Sequence, residues 1–177
     1  VKKPNSNSDF YKMSIVNRIA ESGLIQFDPA TLVKDAKVTV VSLSSFLNED
    51  KILREKPFRQ AIAAHDWTVY KGQYVGLHIA EDTLVPQWAA MLMTCHLQSH
   101  TAGVCLGDQD AATALAYESA LTTLKVEDYK QKNIIIKGCS DGSIPDWVYV
   151  RLMEVLQPHA NRIAYGEACS SVPLYKR

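Results

Sequence analysis

The chain has 177 residues, 47% hydrophobic and 21% charged, with 19 basic side chains balanced by 19 acidic ones. That length and apolar share fit one globular domain and exclude a disordered chain. A net charge of zero argues against nucleic acid as a partner, because binding phosphate calls for a basic excess.

Residues 1–9 are polar and predict a disordered tail, followed by a single α/β domain over 10–177. No apolar h-region follows the tail and no run reaches about 18 apolar residues, so neither a signal peptide nor a membrane span is expected. The expected location is the cytoplasm. The four cysteines (95, 105, 139 and 169) are then expected as thiols or ligands, not disulfides.

Residues 14–22 have helical spacing through Ile15, Val16 and Ile19, and stop at Gly23. Phe27-Asp28-Pro29 predicts a turn. The β-branched run 38–43 predicts a strand at a sheet edge, and residues 48–56 a polar connection.

From residue 57 the chain repeats itself. Residues 57–108 align without a gap on 116–167, with identities at Tyr70/Tyr129, Lys71/Lys130, Pro86/Pro145, Trp88/Trp147, Leu97/Leu156, Gln98/Gln157, His100/His159 and Gly107/Gly166. Each half predicts a helix (57–65; 110–124), a Tyr-Lys turn and a strand (73–79; 133–137). A Pro-led helix (86–99; 145–157) and a short strand (103–106; 162–165) complete it. Strands alternating with helices imply parallel pairing through right-handed crossovers. The expected fold is α/β, a mostly parallel sheet of about four to five strands with flanking helices, built on an internal duplication. Trp88 and Trp147 are expected to fix helix on sheet, and Cys95 and Cys105 to lie in the core.

Ligands of open parallel sheets bind at the carboxyl ends of the strands. Those ends carry Asp108, the loop Gly138-Cys139-Ser140-Asp141-Gly142-Ser143, and the segment Gly166-Glu167-Ala168-Cys169-Ser170-Ser171. If 133–137 and 162–165 are neighbours, Cys139 and Cys169 come within reach of one ion or substrate. Two thiols with Asp108, Asp141 or Glu167 make a candidate site for zinc or iron, or for sulfur carried as a persulfide. Gly138, Ser140, Gly142, Ser143, Ser170 and Ser171 are candidates for cradling an anion. The loop lacks GxGxxG and the Gly-Lys-Ser/Thr of a P-loop, so no nucleotide is expected. His96 and His100 stand i, i+4 without a third ligand nearby and favour a structural role. The competing reading makes both thiols packing residues and the tail 170–177 a docking segment for a protein partner.

Val16-Asn17-Arg18-Ile19-Ala20-Glu21-Ser22-Gly23-Leu24, Val85-Pro86-Gln87-Trp88-Ala89, Ile136-Lys137-Gly138-Cys139-Ser140-Asp141 and Gly166-Glu167-Ala168-Cys169-Ser170-Ser171-Val172-Pro173 carry a resemblance. Through them the chain resembles the bacterial domain-of-unknown-function family numbered 2480, from about residue 15 onward. The family brings no established activity and no catalytic residue. It does imply gene neighbours in the sulfur-mobilisation system of iron–sulfur cluster assembly, and so iron–sulfur assembly proteins as expected partners.

Overall fold

A computed structural model describes residues 23–48, 52–81, 83–138, 144–167 and 169–177. The expected tail 1–9, the helix 14–22 and part of the 48–56 connection lie outside the described residues.

Among the described residues the chain forms two sheets where the sequence predicts one. Strand β1 (Leu24–Phe27) pairs in parallel with β5 (Asn133–Ile136), which pairs in parallel with β6 (Arg162–Glu167). β7 (Ser170–Lys176) closes that sheet antiparallel to β6, giving the order β1-β5-β6-β7. The second sheet is parallel and three-stranded: β2 (Val38–Ser42), β3 (Tyr74–His78) and β4 (Gly103–Leu106), in that order. Four α-helices lie among the described residues: α1 (Glu55–Ala64), α2 (Gln87–Leu97), α3 (Gln109–Thr122) and α4 (Asp146–Leu156). None is long and apolar enough to cross a membrane.

The division has a local cause. β1 and β2 are short, similar strands, and each joins a different pair: β1 joins β5–β6 and β2 joins β3–β4. After β4 the chain turns into α3, which packs over β2, β3 and β4 while also touching α4. Small residues permit that approach. A Cβ on Gly103 would stand 2.9 Å from Leu115 Cδ2, and one on Gly76 2.7 Å from the Asp108 carbonyl oxygen. α3 therefore covers the back of one sheet and sends Tyr117 and Leu121 into the core of the other.

Helical spacing fixes each core. Ala89, Met93 and Leu97 of α2 pack with Phe58, Ile62, Val75 and Leu77. Val148, Leu152 and Leu156 of α4 pack with Tyr117, Leu121, Ile134, Ile136 and Ile163. Each set recurs at i, i+4, i+8, the stripe that faces a sheet. Trp88 and Trp147 meet a ring of the preceding helix edge-on, Phe58 at 5.8 Å and Tyr117 at 6.4 Å. They tie helix to helix, which the sequence reading assigned to helix and sheet.

The two halves run in step. β3 pairs with β4 from Tyr74↔Gly103 onward, and β5 with β6 from Asn133↔Arg162. The Gly72 N–H donates to the His100 carbonyl at 2.8 Å, and the Gln131 N–H to the His159 carbonyl at 2.8 Å. Gly72 and Gln131 both hold positive φ, 69° and 57°.

Candidate functional site

Strands β5 and β6 are parallel neighbours, as the paired-thiol reading requires. Past Glu167 the chain reverses into β7 with Glu167 opposite Ser170, which leaves Cys169 exposed at the end of the hairpin. Gly166 makes the reversal possible. Its φ is +115°, and a Cβ there would meet the Ser170 carbonyl oxygen at 2.9 Å. The residues expected to form a docking tail are thus a paired edge strand, with Ser170 exposed and Ser171 half-buried. Glu167 is half-buried beside them.

On the other strand, Gly138 follows β5 and passes over Tyr165 of β6. A Cβ on Gly138 would stand 2.8 Å from Tyr165 Cε1 and closer still to the hydroxyl end of the ring. Cys139, Ser140, Asp141, Gly142 and Ser143 lie outside the described residues. The described chain resumes at Ile144, which is buried, and Pro145, which precedes α4.

Asp108 belongs to the other sheet, after β4, and is committed locally. Its Oδ1 accepts the N–H groups of Asp110 and Ala111, each at 3.1 Å, capping α3. The Ala111 N–H, then the Asp110 N–H, hold its carboxyl below the usual aspartate range, and His78 adds to this. A cavity of about 500 Å³ lies between the first turns of α3 and α4, lined by Asp110, Thr113, Ala114, Ile144, Pro145 and Trp147. It lies within two residues, along the chain, of the Asp108 cap, and Ile144 directly follows the 139–143 stretch. Among the described residues no group of three or more His, Cys, Asp or Glu could hold a metal.

The remaining thiols divide by environment. Cys105 in β4 is half-buried; burial, and then the Asp108 charge, push its thiol pKa up. Cys95, expected in the core, is exposed. It lies two positions from Met93, about 200° round the helix from the buried Ala89–Met93–Leu97 stripe. His96 stacks on Trp67 at 5.8 Å. His78 is exposed at the end of β3, opposite Ser42.

The sequence reading missed the ring cluster around Trp67. Trp67 stacks on Phe46 at 5.6 Å, meets His65 at 4.6 Å, and donates from Nε1 to the Ile62 carbonyl at 2.8 Å. The signal was the aromatic bias of His65-Asp66-Trp67-Thr68-Val69-Tyr70, set against Leu124-Lys125-Val126-Glu127-Asp128-Tyr129.

An α/β protein with two mostly parallel sheets, whose β6–β7 hairpin exposes the Cys169 thiol, is the class that the fold defines. The chain belongs to the family described as protein of unknown function (DUF2480), whose model matches residues 13–177. No curated protein and no solved structure matches it.

Proposed function

We propose that this chain is a cytoplasmic accessory protein whose Cys139 and Cys169 form one thiol site that binds zinc or iron, or handles sulfur. Its partners would be iron–sulfur assembly proteins. The observation that carries the reading is the pairing of β5 with β6, which sets Cys169 on the hairpin after one strand and Gly138, the residue before Cys139, over Tyr165 of the other. Asp141 and Glu167 are the nearest carboxylates in sequence. Asp108, expected as a further ligand, lies after β4 of the other sheet and caps α3, so it is the weakest member of the set. Gly138, Ser140, Gly142, Ser143, Ser170 and Ser171 would supply N–H and hydroxyl groups to an anion. Elemental analysis of protein purified without oxygen tests it, for the wild type, Cys139→Ser and Cys169→Ser. About one equivalent of zinc or iron in the wild type, lost in both variants, supports a metal site. No metal with readily alkylated thiols shifts the reading to persulfide chemistry. No metal with protected thiols removes the site.

The second reading, a protein-interaction module with structural cysteines, draws on β7. Val172 and Leu174 are 59% and 49% exposed on an edge strand. It predicts that Val172→Asp with Leu174→Asp abolishes partner recovery and leaves the thiols unchanged.

We also infer that 57–108 and 116–167 are two copies of one unit within a single domain. The shared strand registers, the shared Gly72–His100 and Gln131–His159 bonds, and the edge-on tryptophans support this. In further support, the 3-10 turns Trp67–Tyr70 and Val126–Tyr129 stand 59 residues apart, as do α2 and α4.

A further inference from the structure

A cavity of about 400 Å³ opens beside the C-terminal end of α3, and none of the cysteines lines it. Its apolar wall is Phe27, Leu32, Leu124 and Tyr129, and Lys125 and Asp128 also line it. Phe27 and Tyr129 face each other at 5.6 Å, tilted by 58°. The volume is that of a small-ligand site.

The other half of the molecule shows what such a place holds. Shifted by 59 residues, Leu124 corresponds to His65, Val126 to Trp67 and Tyr129 to Tyr70. β1 with its 3-10 turn Pro29–Val33 corresponds to β2 with Leu43–Phe46, which matches Leu32 to Phe46. Trp67 stacks on Phe46, meets His65 edge-on and lies tilted to Tyr70 at 6.1 Å. The counterparts of these three partners line the cavity, while that of the fourth ring partner, His96, is Val155, which does not. The indole itself has no counterpart, because Val126 stands in its position. One half fills this place from its own chain with a ring that is only 6% exposed; the other leaves it open.

We propose that this cavity is a binding site for a small molecule with a flat aromatic ring and a zwitterionic head, the chemistry of an aromatic amino acid. The ring takes the place that an indole holds in the other half, against Leu32, Leu124 and Tyr129. Lys125 meets the carboxylate of the head and Asp128 its ammonium. Aromatic contact supplies affinity and the opposed charges supply selection. The site depends on the correspondence between the halves and is independent of the thiol reading.

The test titrates the ¹⁵N-labelled full chain with L-tryptophan, indole and L-alanine. L-Tryptophan should give saturable shifts centred on Phe27, Leu32, Leu124 and Tyr129; indole should bind about tenfold more weakly, and L-alanine not at all. Ala120→Phe, which puts a ring into the cavity from α3, should remove L-tryptophan binding while the spectrum stays dispersed. Should that variant fail to fold, Lys125→Ala serves: it should weaken L-tryptophan about tenfold and leave indole unchanged. No saturable shift, or shifts centred elsewhere, overturns the site. Indole binding as tightly as L-tryptophan overturns the ligand class.

Discussion

Gly138 packs against the ring of Tyr165, so close that a Cβ there would overlap the ring where it now stands. The loop that leads to Cys139 is thereby seated on the strand that leads to Cys169. Tyr165 is itself held edge-on by Tyr149 at 5.7 Å. Gly138→Ala must push the ring aside. Tyr165 is 37% exposed and can swing, so the cost should be about 1 kcal/mol, at the low end for overpacking. Tyr165→Ala in the same chain should abolish that cost, and a double-mutant cycle in urea measures it.

Capping by Asp108 should make α3 sensitive to acid. The hydrogen bonds to its carboxylate hold the folded pKa below the unfolded one. Their stabilisation is therefore present above the ordinary value of 3.8 and lost as pH falls through the lowered folded value. Asp108→Ala should lower the thermal midpoint at pH 7, and the gap from wild type should close as pH drops below 3.8. A gap that does not narrow below pH 3.8 would contradict the capping role. Melting curves followed by circular dichroism across pH give the answer.

Thiol labelling should sort the cysteines by environment. In a Cys139→Ser chain at pH 8, Cys95 and Cys169 should react quickly with a disulfide reagent. Cys105 should lag, because burial and Asp108 both disfavour its thiolate. Mass spectrometry of the labelled peptides resolves the order.

Gln131 is a side-chain-bearing residue at φ 57°, in the position where the other half has Gly72. The left-handed conformation costs an L-residue about 1–2 kcal/mol, offset in part by the extra freedom glycine loses on folding. Gln131→Gly should stabilise the chain by about 0.5 kcal/mol. Gly72→Ala should cost about 1 kcal/mol through the backbone alone, since a Cβ there would meet nothing within 4 Å. Denaturant midpoints at constant m-value measure both.

The helices were the legible part of this chain. The spacing of Ala89, Met93 and Leu97, and of Val148, Leu152 and Leu156, marks both the elements and their buried faces. Alternation of strand with helix marked the parallel sense of the strands, while the adjacency of β5 and β6 entered only as a condition. The partition into two sheets left no local mark. β1 and β2 differ little in type, and which pair each one joins depends on α3 arriving between the sheets. β1 is four residues long and carries a glutamine, which falls below what alternation can signal. β7 has Pro173 inside it, a residue that argues against a strand except at an edge, and β7 is an edge. The place of Cys169 past a strand end was legible, whereas its hairpin was not, because pairing across Gly166 is a tertiary matter.

Because α3 is at once the back wall of the three-stranded sheet and part of the core of the four-stranded one, neither half owns its own cover. Loss of either sheet would strip apolar surface from the other, so the two should melt in one cooperative step with no half-folded species. Native-state hydrogen exchange should find the amides of Val75 and Ile134 opening with the same free energy. A chain cut within α3 should yield two fragments that recover structure only when mixed.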